Sequence, residues 1–353
     1  MSAAVFLRQR HMSTRSTLFK EPTGLRYHGA AILYALSAYV IGITGLFSEI
    51  IAVNVVAVLL LAHGMTIAAY MIHECAHNTV FRRSQHNAGL GRLLSWVCGA
   101  AYGTYEDIRY KHFRHHVDND DVVWFEYDKL FRQHPWLTKM VQVLEWLYIP
   151  AHDLVMHFVM VFTSFVIPQR RDQRARNMFV ILVRGGLFCA ALIVFPKVAL
   201  LYAIAYLLMM QVLRFMDMLQ HDYPYNPTLF DYADPPHKGD SEWEQTHTFS
   251  NPLSLRFEKL NWLTLNFGFH NAHHANMQLP WYRLPEVHRE LMADGRNWVI
   301  PLRSQLKLFH NNRVSRVYSE QTDGYPKGAE YLKAARAGVG PIGGNAASFL
   351  TSF

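Results

Sequence analysis

Cysteine is scarce in this chain: Cys75, Cys98 and Cys189 are the only three in 353 residues. They are too few and too scattered for a disulfide framework or a paired-cysteine zinc site, so any metal chemistry must draw on the 20 histidines. Charge is sparse as well. Charged residues make up 17% of the chain and hydrophobic residues 51%, and the apolar residues fall in blocks with the charges between them, which is a membrane-protein distribution. The net charge of +7 has no aromatic-interleaved basic patch behind it, which argues against a nucleic-acid partner. Its Arg and Lys residues flank the apolar blocks, as the positive-inside pattern requires. No classical secretory signal is present. Met1 to Lys20 is rich in Arg and Ser and lacks acid, and is read as a basic cytosolic tail (1–28) in preference to a transit peptide.

Four apolar stretches approach the roughly 20 residues that a spanning helix needs. They are 29–47 and 50–72, separated by Ser48 and Glu49, and 179–195 and 198–216, separated by Pro196 and Lys197. Each pair is expected to fold as a tight helical hairpin. The fold class is therefore an all-α integral membrane protein with four transmembrane helices in two hairpins, interfacial helices and a cytosolic cap formed by 73–178 and 217–290. Arg82, Arg83, Arg92, Arg170, Arg171, Arg174 and Arg176 lie outside the turns and place those segments on the cytosolic side. Leu93 to Tyr105 is too short to cross. Leu144 to Ile167 carries His152, Asp153 and His157, costly among lipid tails, and is expected to lie on the surface with His152 and His157 at headgroup level. Segment 291–353 is read as cytosolic and disordered from about 338.

The histidines are not scattered. His73 and His77 form HECAH, His112, His115 and His116 form HFRHH, and His270, His273 and His274 form HNAHH. Side chains three and four apart share a helix face, so each cluster aims its imidazoles at one point. The first cluster closes the second apolar run, the second precedes the third run, and the third follows the fourth run. If the two shorter stretches do not cross, all three reach one membrane face. His221 follows the fourth run with Asp217 at i−4 on the same face. Nine nitrogen donors exceed the four to about six positions of one ion, which implies two. A pair of irons can reduce dioxygen and oxidise an unactivated methylene. HECAH is also an HExxH motif, in which two histidines hold zinc and Glu74 acts as a base. A zinc intramembrane protease is the reading from a different class, and it leaves the other two clusters unexplained.

The three clusters resemble the histidine boxes HxxxH, HxxHH and HxxHH of the membrane fatty acid desaturases and hydroxylases. HECAHNTVF looks like the first box. Tyr110 to His116 with Asp118, Asn119 and Asp121 looks like the second, and Asn266 to His274 with Pro280 and Tyr282 looks like the third. The resemblance runs from about Ala31 to Glu290, within a membrane domain of 29–290. It implies two Fe2+ ions held by His73, His77, His112, His115, His116, His221, His270, His273 and His274, with dioxygen as co-substrate. The activity implied is desaturation of a long acyl or lipid chain; hydroxylation of an alkane, sterol or carotenoid by the same site is the alternative. Relatives can carry Asn where this chain has Asp217, so that residue is either an extra ligand or a tuner of the metal. Glu74, Asp118, Asp121, Asn266 and His247 are candidates for holding ligand imidazoles. His63 reads as a satisfied core histidine, and Glu106 and Asp107 as a solvated helix end. No HPGG haem signature is present, so electrons are expected from a separate ferredoxin, rubredoxin or cytochrome b5 type donor. The membrane would be a bacterial inner membrane or endoplasmic reticulum, with the metal site cytosolic.

Overall fold

The computed structural model describes residues 18–223, 227–230, 234–318 and 326–340. Residues 1–17 of the basic tail and 341–353 of the C-terminal segment lie outside them. The described chain is all-helical; its only β pairings are isolated bridges. In order it forms α1 (Gly24–Leu46), α2 (Ile51–Ala76), α3 (Ser84–Cys98), α4 (Tyr105–Asp118), α5 (Tyr127–Gln133), α6 (Pro135–Trp146) and α7 (Ala151–Val166). There follow α8 (Pro168–Val194), α9 (Pro196–Asp217), α10 (Ser241–Thr246), α11 (His270–Ala275), α12 (Leu284–Ala293), α13 (Leu302–Asn311) and α14 (Gly328–Ala337).

Four of these, α1, α2, α8 and α9, are long and apolar enough to cross a membrane. Burial separates them: 56% of the apolar window of α2 is inside the protein but only 11% of that of α8, so α2 is the central helix and α8 offers most of its surface to lipid. Small residues bring α1 and α2 close. A Cβ on Gly42 would lie 2.7 Å from Leu61 Cβ, and one on Gly64 would lie 2.8 Å from Ala38 Cβ. In lipid, where apolar burial drives little association, such close packing holds helices together. Asn54 at the start of α2 donates to the carbonyls of Gly45 (3.0 Å) and Ser48 (3.0 Å), satisfying orphan acceptors at the end of α1. At the same end of the molecule Lys197 donates to the Ser48 carbonyl (2.8 Å), so the 48–49 and 196–197 turns meet.

The helices exceed the apolar runs at the ends where protein, not water, receives the polar residues. α1 begins at Gly24 and not at 29, because Tyr27 stacks on Tyr282 (4.4 Å between centroids) and His28 is fully buried. α8 begins at Pro168 and not at 179. Its early arginines are held internally, Arg170 by Asp107 (3.2 Å) and Arg176 by the carbonyls of Ala101 and Gly103 (2.7 Å each). Asp107 is thus part of an ion pair, and the expectation of a solvated end holds for exposed Glu106 alone. A π-helical turn at Ile181–Gly185 interrupts α8, where Arg184 donates to the Trp96 carbonyl (2.6 Å).

The placement of Leu144 to Ile167 corrects the sequence reading. The stretch forms the end of α6 and all of α7, but His152, Asp153 and His157 are buried within the protein and do not face outward from it. Leu154, Phe158, Phe162 and Val166 are the exposed side. The helix is amphipathic with its polar face inward. The reason is Arg214 of α9, whose guanidinium meets both Glu145 oxygens (2.5 and 3.0 Å) and Asp153 (2.8 Å). Paired charges can be buried where single ones cannot. Leu93 to Tyr105 is divided at Gly99, whose φ of +87° ends α3 in the left-handed region that glycine tolerates. Beyond α9, Met218, Leu219, Phe249, Ile300, Leu308, Tyr331 and Leu332 form a second core that ties α13 and α14 to the chain around His221.

Candidate metal centre

The last turn of α2 carries His73, and His77 caps it. α4 opens with Thr104, whose hydroxyl accepts from Asp107 N (3.0 Å), and carries His112, His115 and His116 in its last turns. α11 is a single short helix that begins at His270 and contains His273 and His274. All nine expected histidines are buried. The structure sorts eight of them into two sets whose ligand nitrogens lie within 4.8 Å of one another: His73, His77, His112 and His273 in one, His115, His221, His270 and His274 in the other. His116 lies between them, its Nε2 3.2 Å from that of His112 and 3.0 Å from that of His273. It also groups with Glu244 and His274.

The second and third boxes divide their side chains between the sets. His270 and His274, four apart, share a set, while His273 turns to the other, and His112 and His115 separate in the same way. One short helix therefore serves two positions.

The Nε2 atoms face one another: His73 to His273 at 3.1 Å, His221 to His270 at 2.7 Å, His274 to His270 at 3.1 Å, with His77 and His112 also in contact. Donors about 2.0–2.2 Å from a common ion sit about 3 Å apart, so these separations suit a metal. Several outward nitrogens, Nδ1 of His77, His116, His221 and His270, are buried without a hydrogen-bond partner. Imidazoles so placed gain little from one another as hydrogen-bonding groups, and a cation accepting their Nε2 lone pairs accounts for the arrangement. Burial pushes His77, His112, His116, His221 and His270 well below the ordinary imidazole value, neighbouring imidazoles adding to it. His273 is lowered for the same reasons, and His274 is pushed down to about 3 by burial despite Glu244. Lowering of this kind favours the neutral imidazole in these seven residues, the form that ligation requires.

The supporting candidates divide. Asp121 lies 3.4 Å from His115 Nδ1, which also meets the Asp120 carbonyl at 3.0 Å. Glu74 is 3.9 Å from His73 Nδ1, but its carboxylate accepts from Thr79 Oγ1 (2.6 Å) and Trp281 N (3.2 Å). A carboxylate tied to backbone in this way is poorly placed as the free base of a protease. Asp118 pairs with Arg114 (2.7 Å), not with an imidazole. Asn266, at φ +58°, donates to the Trp281 carbonyl (3.0 Å) and braces the loop before the third box. Asp217 is buried and belongs to neither set; its charge acts on Lys111, also buried, whose ammonium burial pushes down to about 7 against the pull of Asp121 and Asp217. His247 is bonded to the Trp243 carbonyl (2.9 Å) and stacks on the Trp243 ring, outside both sets. His63 is half-buried and satisfied by Tyr34 and the Leu263 carbonyl (3.0 Å).

Sequence reasoning missed Glu244. Its Oε1 lies 2.6 Å from Nδ1 of His274, orienting the ring and making it a better donor. Asp240 accepts from Trp243 N (3.0 Å) and caps the helix that presents it, but nothing in that local pattern points to His274.

Two adjacent histidine sets, set at the ends of apolar helices, define an all-helical integral membrane protein with a candidate metal centre. The family model described as fatty acid desaturase matches residues 51–304, and the chain belongs to that family. A search of curated proteins finds no match.

Proposed function

We propose that this protein is a dioxygen-dependent desaturase that introduces a double bond into a long acyl or lipid chain, with two iron ions held by the nine histidines. The observation that carries the proposal is the convergence of nine buried imidazoles from three distant boxes and His221 onto two adjoining donor sets. When bound, iron supplies the dioxygen-derived oxidising power that removal of hydrogen from an unactivated methylene demands. The chain's own residues do the rest. Glu244 and the backbone carbonyl of Asp120 fix the tautomers of His274 and His115, with the Asp121 carboxylate near the latter at 3.4 Å. The helices beneath, exposed to lipid on α8 and on the outer faces of α6 and α7, keep the donors beside the bilayer where an apolar chain is available.

We read the spans as two hairpins with their turns on one side, and 73–178 with 217–290 as a cap on the cytosolic side. The arginines support this. Arg82, Arg83, Arg92 and Arg109 cluster near the histidine boxes, whereas the two turns contribute only Lys197. An external one-electron donor completes the reaction. Each turnover takes two hydrogens from the substrate, two electrons and two protons from outside, and reduces dioxygen to two waters.

Expression in a host of known lipid content, with mass spectrometry of the lipids, tests the reading. Products lighter by two hydrogens are expected. Products heavier by one oxygen would assign a hydroxylase instead, and one zinc with no iron on metal analysis would remove the redox reading altogether.

A further inference from the structure

A run of aromatic rings connects the second histidine set to the protein surface. Trp243, half-buried on α10, has the His237 ring 4.0 Å away at 5° between planes and the His247 ring 4.1 Å away at 13°. Tyr223 follows at 5.3 Å and 28°. Tyr223 is buried, and its ring lies 4.4 Å from His221 and 5.7 Å from His115, both members of the second set. His237 and Trp243 are both partly exposed, so the contacts run from solvent to the metal centre. Two features hold the run rigid. The Tyr223 hydroxyl is bonded to Thr248 Oγ1 (3.2 Å), and the backbone N–H of Trp243 donates to the capping Asp240 carboxylate (3.0 Å), anchoring the turn that carries the ring.

Packing alone does not call for this arrangement. Trp243 stands on a six-residue helix among exposed Asp240, Ser241 and Glu242. A large flat ring at a polar surface, parallel to its neighbours and joined through one tyrosine to two ligand imidazoles, has the form of a conduit. Electron tunnelling decays exponentially with distance, and contiguous π contacts slow the decay by replacing gaps with overlapping orbitals.

We propose that Trp243 and Tyr223 are the electron entry route of this protein: a small haem or iron–sulfur carrier protein docks over the His237–Trp243 surface, and electrons pass through Tyr223 to His221 and His115. The proposal rests on the reading of the site as a redox-active metal pair. Each transfer oxidises the carrier by one electron and reduces one metal ion by one electron. No bond is made or broken, no proton moves, and the rings keep their charge. A ring surface with a polar rim of Asp234, Lys238, Asp240 and Glu242 suits a short-lived encounter, which a recycling carrier requires.

The test uses full-length, iron-loaded, ferric protein in detergent. Cys189 is the one exposed cysteine among the described residues and is replaced by Ser, and a ruthenium tris-bipyridine maleimide is attached through Lys238→Cys beside the proposed entry. Laser-flash reduction of the ferric centre is followed by absorbance, and reduction by dithionite is measured in parallel. Trp243→Leu and Tyr223→Leu are each expected to slow flash reduction by about tenfold or more. Tyr223→Phe, which keeps the ring, is expected to retain the parent rate, and dithionite rates and iron content are expected to hold throughout. Flash rates unchanged in both Leu variants would overturn the proposal. So would slowing in Phe113→Leu with none in Trp243→Leu, since the Phe113 ring, 5.6 Å from His77, is the rival entry to the other set. A parent protein that dithionite does not reduce would overturn the metal reading itself, an outcome distinct from either.

Discussion

The two histidine sets are alike in donors and unlike in surroundings. The first, His73, His77, His112 and His273, is built on the end of the central spanning helix, packed against Phe267 and next to α2. The carboxylate of Glu74 is 3.9 Å from an imidazole nitrogen of this set and committed elsewhere. The second set, His115, His221, His270 and His274, is built from the loops and short helices beyond the spans. Glu244 lies at 2.6 Å, Asp121 at 3.4 Å and the Asp120 carbonyl at 3.0 Å, and the Tyr223 and Trp243 rings lie behind it. A carboxylate on the far nitrogen makes an imidazole more basic and lowers the potential of the metal it holds. The difference teaches that the two sets are asymmetric. Half of the first set's donors stand at the end of a spanning helix, whereas all of the second set's stand beyond the spans and two of them have acidic-residue oxygens on the far nitrogen.

The sharpest break of that comparison is removal of one donor from each set. His273→Ala and His115→Ala are both expected to abolish turnover while membrane insertion persists, with metal content falling by about half in each on elemental analysis. Full activity in either variant would strike that residue from the ligands. Next in size is the buried charge cluster that joins α6, α7 and α9. Arg214→Met leaves Glu145 and Asp153 buried without their guanidinium and is expected to cost about 3–5 kcal/mol, read as a large fall in thermal unfolding temperature in detergent. A variant as stable as the parent would show that the triad is not what keeps α6, α7 and α9 together.

Glu244→Ala is expected to weaken metal retention by about 10–100-fold against a chelator, and Glu74→Gln by much less. Equal losses would erase the asymmetry. The last effect is read as a slope with pH and concerns His288 on α12, which packs on Phe269 (4.8 Å) next to the third box and which burial pushes down to about 4. Because its folded value is below the unfolded 6.5, the unfolded chain takes up protons first, and stability present above pH 6.5 is lost as pH falls toward 4. His288→Phe should flatten the fall in unfolding temperature between those pH values, by up to about 1.4 kcal/mol per unit. An unchanged slope would place the acid sensitivity elsewhere.

Local pattern made much of this legible. Four apolar runs were countable because spanning a bilayer needs length and composition, both local properties. The boxes were legible because i, i+3 and i, i+4 neighbours share a helix face wherever the helix goes. The inversion of α7 was not, since an amphipathic period says which residues share a face but not which face meets water. The partner that decides it, Arg214, is 61 positions from Asp153 and 69 from Glu145. Glu244 was invisible for the same reason: one acid among 27, distinguished only by standing 2.6 Å from a histidine 30 residues on.

The chain's order of residues by itself determined that there would be spanning helices, nine candidate donors and too few cysteines for a cysteine ligand set, because each depends on residue type and short-range spacing. Only the tertiary structure decided how the donors divide into two sets, which acids face them, which ring stack reaches the surface and where buried charges find their opposites. Those are distances between segments far apart in the chain, and no local period encodes them.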